Sequence, residues 1–191
     1  MPLTLDVSIW GWEGIGGVDG WGRVGHVMVS DPSTNTALLS QFPHRFGQAS
    51  VPKGPNILMP FSETYLEEEG VPDVIYEITI SDASVAAFQT MASNHLNRPI
   101  WDWDPTPPTQ THCARAVYDS LKAGGLPIDP TNQYVIKDGQ TNEILPNSLW
   151  KLMEDAGIQP SVQRSANFDS QTIKDNETVV SFARRENIWI R

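Results

Sequence analysis

One cysteine, Cys113, stands in 191 residues, so no disulfide forms within the chain and no cysteine-rich zinc site can be built. Basic residues are scarce too: 13 Lys and Arg against 23 Asp and Glu leave a formal charge of −10. A field of that sign repels phosphate backbones and anionic membrane surfaces, which excludes nucleic acid as an expected partner. It would steer a basic protein in, and it would equally serve solubility alone. No run approaches the roughly 20 apolar residues of a membrane span, and Met1 to Trp10 lack the basic-then-apolar pattern of a secretory leader. The expectation is a chain made in the cytoplasm without a signal peptide, and carried by some other machine if it acts elsewhere.

What is present is an apolar content of 39% with 7 tryptophans, against disorder, and 15 prolines with 14 glycines, which predict loops and short elements in a single domain. Leu3, Leu5, Val7 and Ile9 alternate with Thr4, Asp6 and Ser8, the period of a strand with one buried face. Gly11 to Gly22 reads as a glycine-rich loop. With Trp10, its Trp12 and Trp21 make either a stacking platform for a sugar or extended peptide, or a cover for the sheet edge. Val24 to Ser30 and Ala37 to Gln41 predict a hairpin through the turn residues Asp31 to Thr36. His26 follows Gly25, whose missing side chain leaves room for an approaching group; by itself a strand histidine is as well explained structurally.

Residues 42–72 hold the 5 prolines Pro43, Pro52, Pro55, Pro60 and Pro72 and predict a long surface excursion, with at most a short helix around Ser62 to Glu68. Val74 to Ile80 predicts a strand. Val85, Phe88, Gln89, Met91, Ala92 and His95 then predict an amphipathic helix ending near Asn97, with His95 at the surface. Trp101-Asp102-Trp103-Asp104 is expected as a loop wedged on the core, its carboxylates available to orient a base. After Gly125 come a strand-like piece at Gln133 to Lys137, a turn at Asp138-Gly139, and a helix from Pro146 to a Gly157 stop; the tail over 178–190 resists placement.

Between these lies the segment with the most chemistry. Pro105, Pro107 and Pro108 forbid a helix, Thr109 or Thr111 can cap one, and Ala114, Val117, Tyr118 and Leu121 recur at helical spacing until Gly124-Gly125. Cys113 is therefore predicted on a first turn, where unpaired N–H groups and the positive end of the helix dipole favour a thiolate and can hold an oxyanion. The other reading is a small buried apolar residue. A cysteine hydrolase also needs a histidine that takes and returns the proton, and a polar group that fixes its tautomer. His26 is the candidate base. Counting across the hairpin places Ser40 or Gln41 beside its ring, with His44 as a third possibility; His112 points away from the neighbouring sulfur.

Gly25-His26-Val27-Met28-Val29, then Leu38-Leu39-Ser40-Gln41, then the small-residue helix from Cys113 stand in the order of a known arrangement. The chain resembles the circularly permuted papain-like cysteine hydrolases of the NlpC type, in which the histidine strand precedes the cysteine helix, an order shared by lecithin:retinol acyltransferases. With Pro146-Asn147-Ser148-Leu149 downstream, it is similar to bacterial papain-like effectors delivered by type VI secretion systems. The resemblance implies an α+β, permuted papain-like fold, an antiparallel sheet packed against a cysteine-bearing helix. Its core would cover about residues 3–125 of a single domain over 1–191, with a C-terminal helix and cover over 126–191. It implies Cys113 as nucleophile, His26 as general base and Ser40 as its orienting partner, with Trp12, Trp21, Gln41 and Trp103 contacting substrate. No metal or cofactor is expected. The implied substrate is an amide of peptidoglycan stem peptides in the periplasm of a target bacterium, and the implied partners are a cognate immunity protein and a component of the secretion machine. Two alternatives share the fold: a non-catalytic module gripping glycan or peptide through Trp12, Trp21, Trp101 and Trp103, and an acyltransferase acting on a protein or lipid.

Overall fold

The computed structural model describes residues 1–11, 25–43, 53–67, 72–102, 108–129, 136–138, 141–144 and 146–163. Trp12, Trp21, His44, Trp103 and the tail over 178–190 lie outside them. In chain order the elements are β1 (Leu3–Trp10), β2 (His26–Asp31), β3 (Thr36–Leu39), β4 (Gln41–Pro43), β5 (Lys53–Leu58), α1 (Phe61–Glu67), β6 (Val74–Ile80), α2 (Asp82–Leu96), β7 (Ile100–Asp102), β8 (Gln110–Thr111), α3 (Cys113–Ala123), β9 (Ile136–Asp138), β10 (Thr141–Glu143), α4 (Pro146–Asp155) and β11 (Val162–Gln163). The fold is mixed α+β. Its main sheet is antiparallel throughout, in the order β11-β6-β1-β2-β3.

Alternation gives this sheet two unlike faces. Leu5, Val7 and Ile9 pair with Ile78, Tyr76 and Val74, and on that face they join Phe88 of α2, Val117 and Leu121 of α3, and Leu149, Leu152 and Met153 of α4 in one buried core. Each such aliphatic side chain contributes about 1.5–3 kcal/mol by leaving water, so this core dominates the stability. The opposite face is exposed at Thr4 and Glu77 but closed at the other end of β1, where Trp10, Met28 and Ala37 cluster under Phe61 of α1. Trp10 thus serves as cover, at 2% exposure.

Two corrections concern loops. The excursion over 42–72 contains β5 in addition to the short helix, and Trp101 lies in β7. β5 escapes notice because Pro55 lies within it; yet among the described residues the register pairs Lys53 to Pro55 with β7 and Asn56 to Leu58 with β4, so Pro55 sits where one partner gives way to the other, which a proline tolerates. These strands form a second sheet, β4-β5-β7-β8, whose last pair is parallel. β9 and β10 form a hairpin beginning three residues later than the expected strand.

Helix α3 packs against β2, β3 and β4. At its C-terminal end a Cβ on Gly124 would come within 2.8 Å of Ile80 Cδ1, and Ile80 pairs with Leu3 at the far end of the sheet. The helix therefore runs with Cys113 toward the end where Trp10 pairs with His26. At that end Gly25 holds φ +67°, a left-handed conformation that costs other residues about 1–2 kcal/mol. The missing Cβ ahead of His26 thus answers a backbone demand. Gly25→Ala is expected to lower unfolding free energy by about 1–2 kcal/mol in urea titration, and an unchanged midpoint would contradict it.

Candidate active site

His26 is 2% exposed, stacked at 4.1 Å on Phe42 and tilted against Trp10 at 6.0 Å between ring centroids. Its Nε2 lies 3.0 Å from Ser40 Oγ, which lies 2.8 Å from Thr64 Oγ1, which donates to the Pro60 carbonyl at 3.0 Å. Counting protons orders this chain. Thr64 has one hydroxyl proton; spent on Pro60, it leaves Thr64 to accept from Ser40, and Ser40 to accept from His26 Nε2–H. The reverse order would leave two acceptor oxygens facing each other at the 3.0 Å Thr64–Pro60 contact. All three contacts are satisfied only with the proton on Nε2. Nδ1 then carries the lone pair and has no hydrogen-bond partner among the described residues.

A β-bulge makes that contact possible. The register shifts between Val29 and Ser30, pairing Val29 with Leu39 and Ser30 with Ala37, so Leu38 is the extra residue. Without it, Ser40 would fall opposite Val27 and point to the wrong face. With it, Ser40 continues opposite Met28, on the face His26 shares. The ambiguity between Ser40 and Gln41 as the ring's neighbour resolves in favour of Ser40.

Cys113 is the first residue of α3, as expected, and is 3% exposed. The cap is neither threonine: His112 takes that position, extended at φ −140°, and its Nδ1 accepts the Arg115 amide at 3.2 Å. Cys113 packs with the main core, on the Val27 and Val29 face of β2, whereas His26 alternates onto the Trp10 and Met28 face. Among the described residues no hydrogen bond joins the two side chains; they share an end of the sheet, and His26 is the terminal residue of its strand.

Sequence reasoning placed His95 at the surface, but it is 0% exposed. Its Nδ1 is 2.8 Å from Thr111 Oγ1 and its Nε2 is 3.1 Å from Asp119 Oδ2, which also accepts from Arg115 Nε at 3.1 Å. Thr111 Oγ1 also donates to the His112 carbonyl at 3.3 Å, so both ring nitrogens of His95 are engaged and its hydroxyl partner is tied to the residue before Cys113. This clip ties α2 to both sides of the Cys113 turn. The missed signal was spacing: His95 belongs to the same helical stripe as Phe88 and Ala92.

Gln41 is 1% exposed, and its carbonyl accepts from Trp101 Nε1 at 3.1 Å. Trp101 pairs with Thr111, two residues before Cys113, so Gln41 adjoins both Ser40 and the start of α3. Among the described residues no three His, Cys, Asp or Glu side chains gather as metal ligands, and no helix is long and apolar enough to cross a membrane. Compared with known proteins, the chain matches no family model, no curated protein and no solved structure.

Burial lowers the His26 pKa to about 3, and it lowers that of His95 against the opposing hydrogen bond from Asp119. Unfolded histidines titrate near 6.5, so both groups bind protons more readily in the unfolded chain. Their contribution is complete above about pH 6.5 and is lost as pH falls toward the folded values. Urea midpoints are expected to drop between pH 7 and pH 5, each histidine steepening the loss by up to about 1.4 kcal/mol per pH unit. His26→Asn should flatten the slope; equal midpoints at the two pH values would refute the neutral assignment.

Proposed function

We propose that the chain is a permuted papain-like cysteine hydrolase that cleaves an amide bond of peptidoglycan stem peptides, acting as an antibacterial effector delivered by a type VI secretion system. The observation carrying this reading is the ordered chain from Pro60 through Thr64 and Ser40 to His26, which directs the basic Nδ1 lone pair away from its support. Ser40 is thereby the orienting residue, the part usually taken by a more polar group.

In the proposed reaction the Cys113 thiol gives its proton to Nδ1, and the sulfur attacks the substrate carbonyl carbon. The resulting oxyanion is held by N–H groups at the start of α3, where the helix dipole adds to the attraction. Collapse breaks the carbon–nitrogen bond, His26 returns the proton to the departing amine, and a thioester remains. Water then attacks that thioester with His26 again as base, releasing the acid and the thiol. A neutral imidazole buried among Phe42 and Trp10 is a weak base by itself, so thiolate and imidazolium must form together as a pair. The reading requires Sγ to meet Nδ1 around the end of β2, which His26 begins.

Purified sacculi, with products separated by chromatography, provide the test. Cys113→Ala and His26→Asn should each reduce cleavage at least about 10³-fold, Cys113→Ala with a thermal midpoint near that of the parent, and Ser40→Ala about tenfold. Turnover by a folded Cys113→Ala protein would end the proposal.

A further inference from the structure

The Gln41 side chain is buried, yet neither its amide nitrogen nor its amide oxygen has a hydrogen-bond partner among the described residues. The other buried orphan atoms differ. Asn56 lacks a partner only at its oxygen, while its nitrogen donates to the His95 and Arg98 carbonyls. Tyr76 has a single orphan hydroxyl within the core. Among the described buried residues, only Gln41 keeps a whole amide unpaired. Each unpaired buried group costs about 1–3 kcal/mol, a cost that methionine or leucine of similar volume would not incur. Such a residue is expected where a ligand supplies the missing bonds.

Its place suggests which ligand. Gln41 follows Ser40, and through Trp101 it is joined to Thr111 and so to the strand that delivers Cys113. A primary amide offers a donor and an acceptor side by side in one plane. Its complement is one extended residue of a peptide, whose N–H and C=O face the same edge of the backbone, the carbonyl accepting from Nε2 while the N–H donates to Oε1. An ester has acceptors only and leaves Oε1 orphaned.

We infer that Gln41 binds the main-chain N–H and C=O of one extended residue of the substrate beside Cys113, which makes the substrate a peptide rather than an acyl ester lipid. The inference rests on the proposed site for its location, but its test needs no cleavage. The probe is a disaccharide-tetrapeptide muropeptide, titrated calorimetrically into Cys113→Ala protein with Gln41 intact or replaced by Met or Leu. Thermal midpoints of each variant are measured in parallel.

The expected result is muropeptide binding that weakens about tenfold or more in both Gln41→Met and Gln41→Leu, with midpoints equal to or above that of the parent. Unchanged affinity overturns the inference, as does no muropeptide binding by the Cys113→Ala protein. Weakened affinity accompanied by lower midpoints in both variants assigns Gln41 to holding the fold and overturns it as well. Gln41-dependent binding to phosphatidylcholine vesicles in place of muropeptide would assign a lipid substrate instead. Muropeptide bound through Gln41 but left uncleaved by the wild-type protein would remove the hydrolase and keep the inference; cleavage indifferent to Gln41 would do the reverse.

Discussion

A hydroxyl group has one proton to give, and the candidate site follows from where Thr64 gives its own. Because that proton goes to the carbonyl of Pro60, the residue just before α1, every later bond in the chain has a direction, ending with His26 Nε2–H donating to Ser40. A carboxylate in the place of Ser40 would reach the same tautomer by charge, and would also raise the imidazole pKa. Hydroxyls do the first without the second. The ring is oriented by a neutral relay and remains, through burial, far less basic than a histidine paired with an acid. α1, a helix of two turns that looks incidental in the sequence, is therefore part of the site.

Much of this arrangement is legible in the residues, because its signals are local. Alternation in Leu3 to Ile9 and in Val74 to Ile80 located β1 and β6, and helical spacing between prolines and paired glycines located α3 to the residue at its start. What escaped depends on contacts between distant segments. The bulge at Leu38 decides whether Ser40 or Gln41 faces the ring, yet nothing in Leu38-Leu39-Ser40 announces an inserted residue; it exists because both Ala37 and Leu39 must be buried. β5 was hidden by its proline, and the helix cap went to His112 because the strand pairing of Thr111 with Trp101 had already used the nearer threonine.

The papain-like likeness in the sequence and the mixed α+β architecture agree at the level of class, with the cysteine-bearing helix lying on an antiparallel sheet as the likeness implied. One corner gathers the candidate residues. There the main sheet ends, the second sheet begins through Ser40, and α3 starts from β8. Met59 N–H donates to the Ser40 carbonyl at 2.9 Å, holding the crossing from β3 to β4 in place. Three elements from different parts of the chain thus meet within a few residues of Cys113, which brings Cys113, Ser40 and Gln41 together from segments far apart in sequence.

A carboxylate partner does not by itself leave a histidine available as a base. His95 has the partner that mechanistic intuition favours, a carboxylate at 3.1 Å, and lies beside the turn that leads to Cys113. But both its ring nitrogens are engaged, Nε2 with Asp119 and Nδ1 with the Thr111 hydroxyl, so neither faces an incoming thiol. His112, adjacent to the cysteine, has its Nδ1 committed to the Arg115 amide as the helix cap. His26 differs from His112 in which nitrogen is engaged: its Nε2–H donates to Ser40 and leaves the Nδ1 lone pair unengaged by any described residue, whereas the His112 lone pair at Nδ1 accepts the Arg115 amide. A base needs an available pair of electrons before it needs a favourable field, and on that criterion His26 is the candidate base, while His95 and His112 hold the turn at the start of α3.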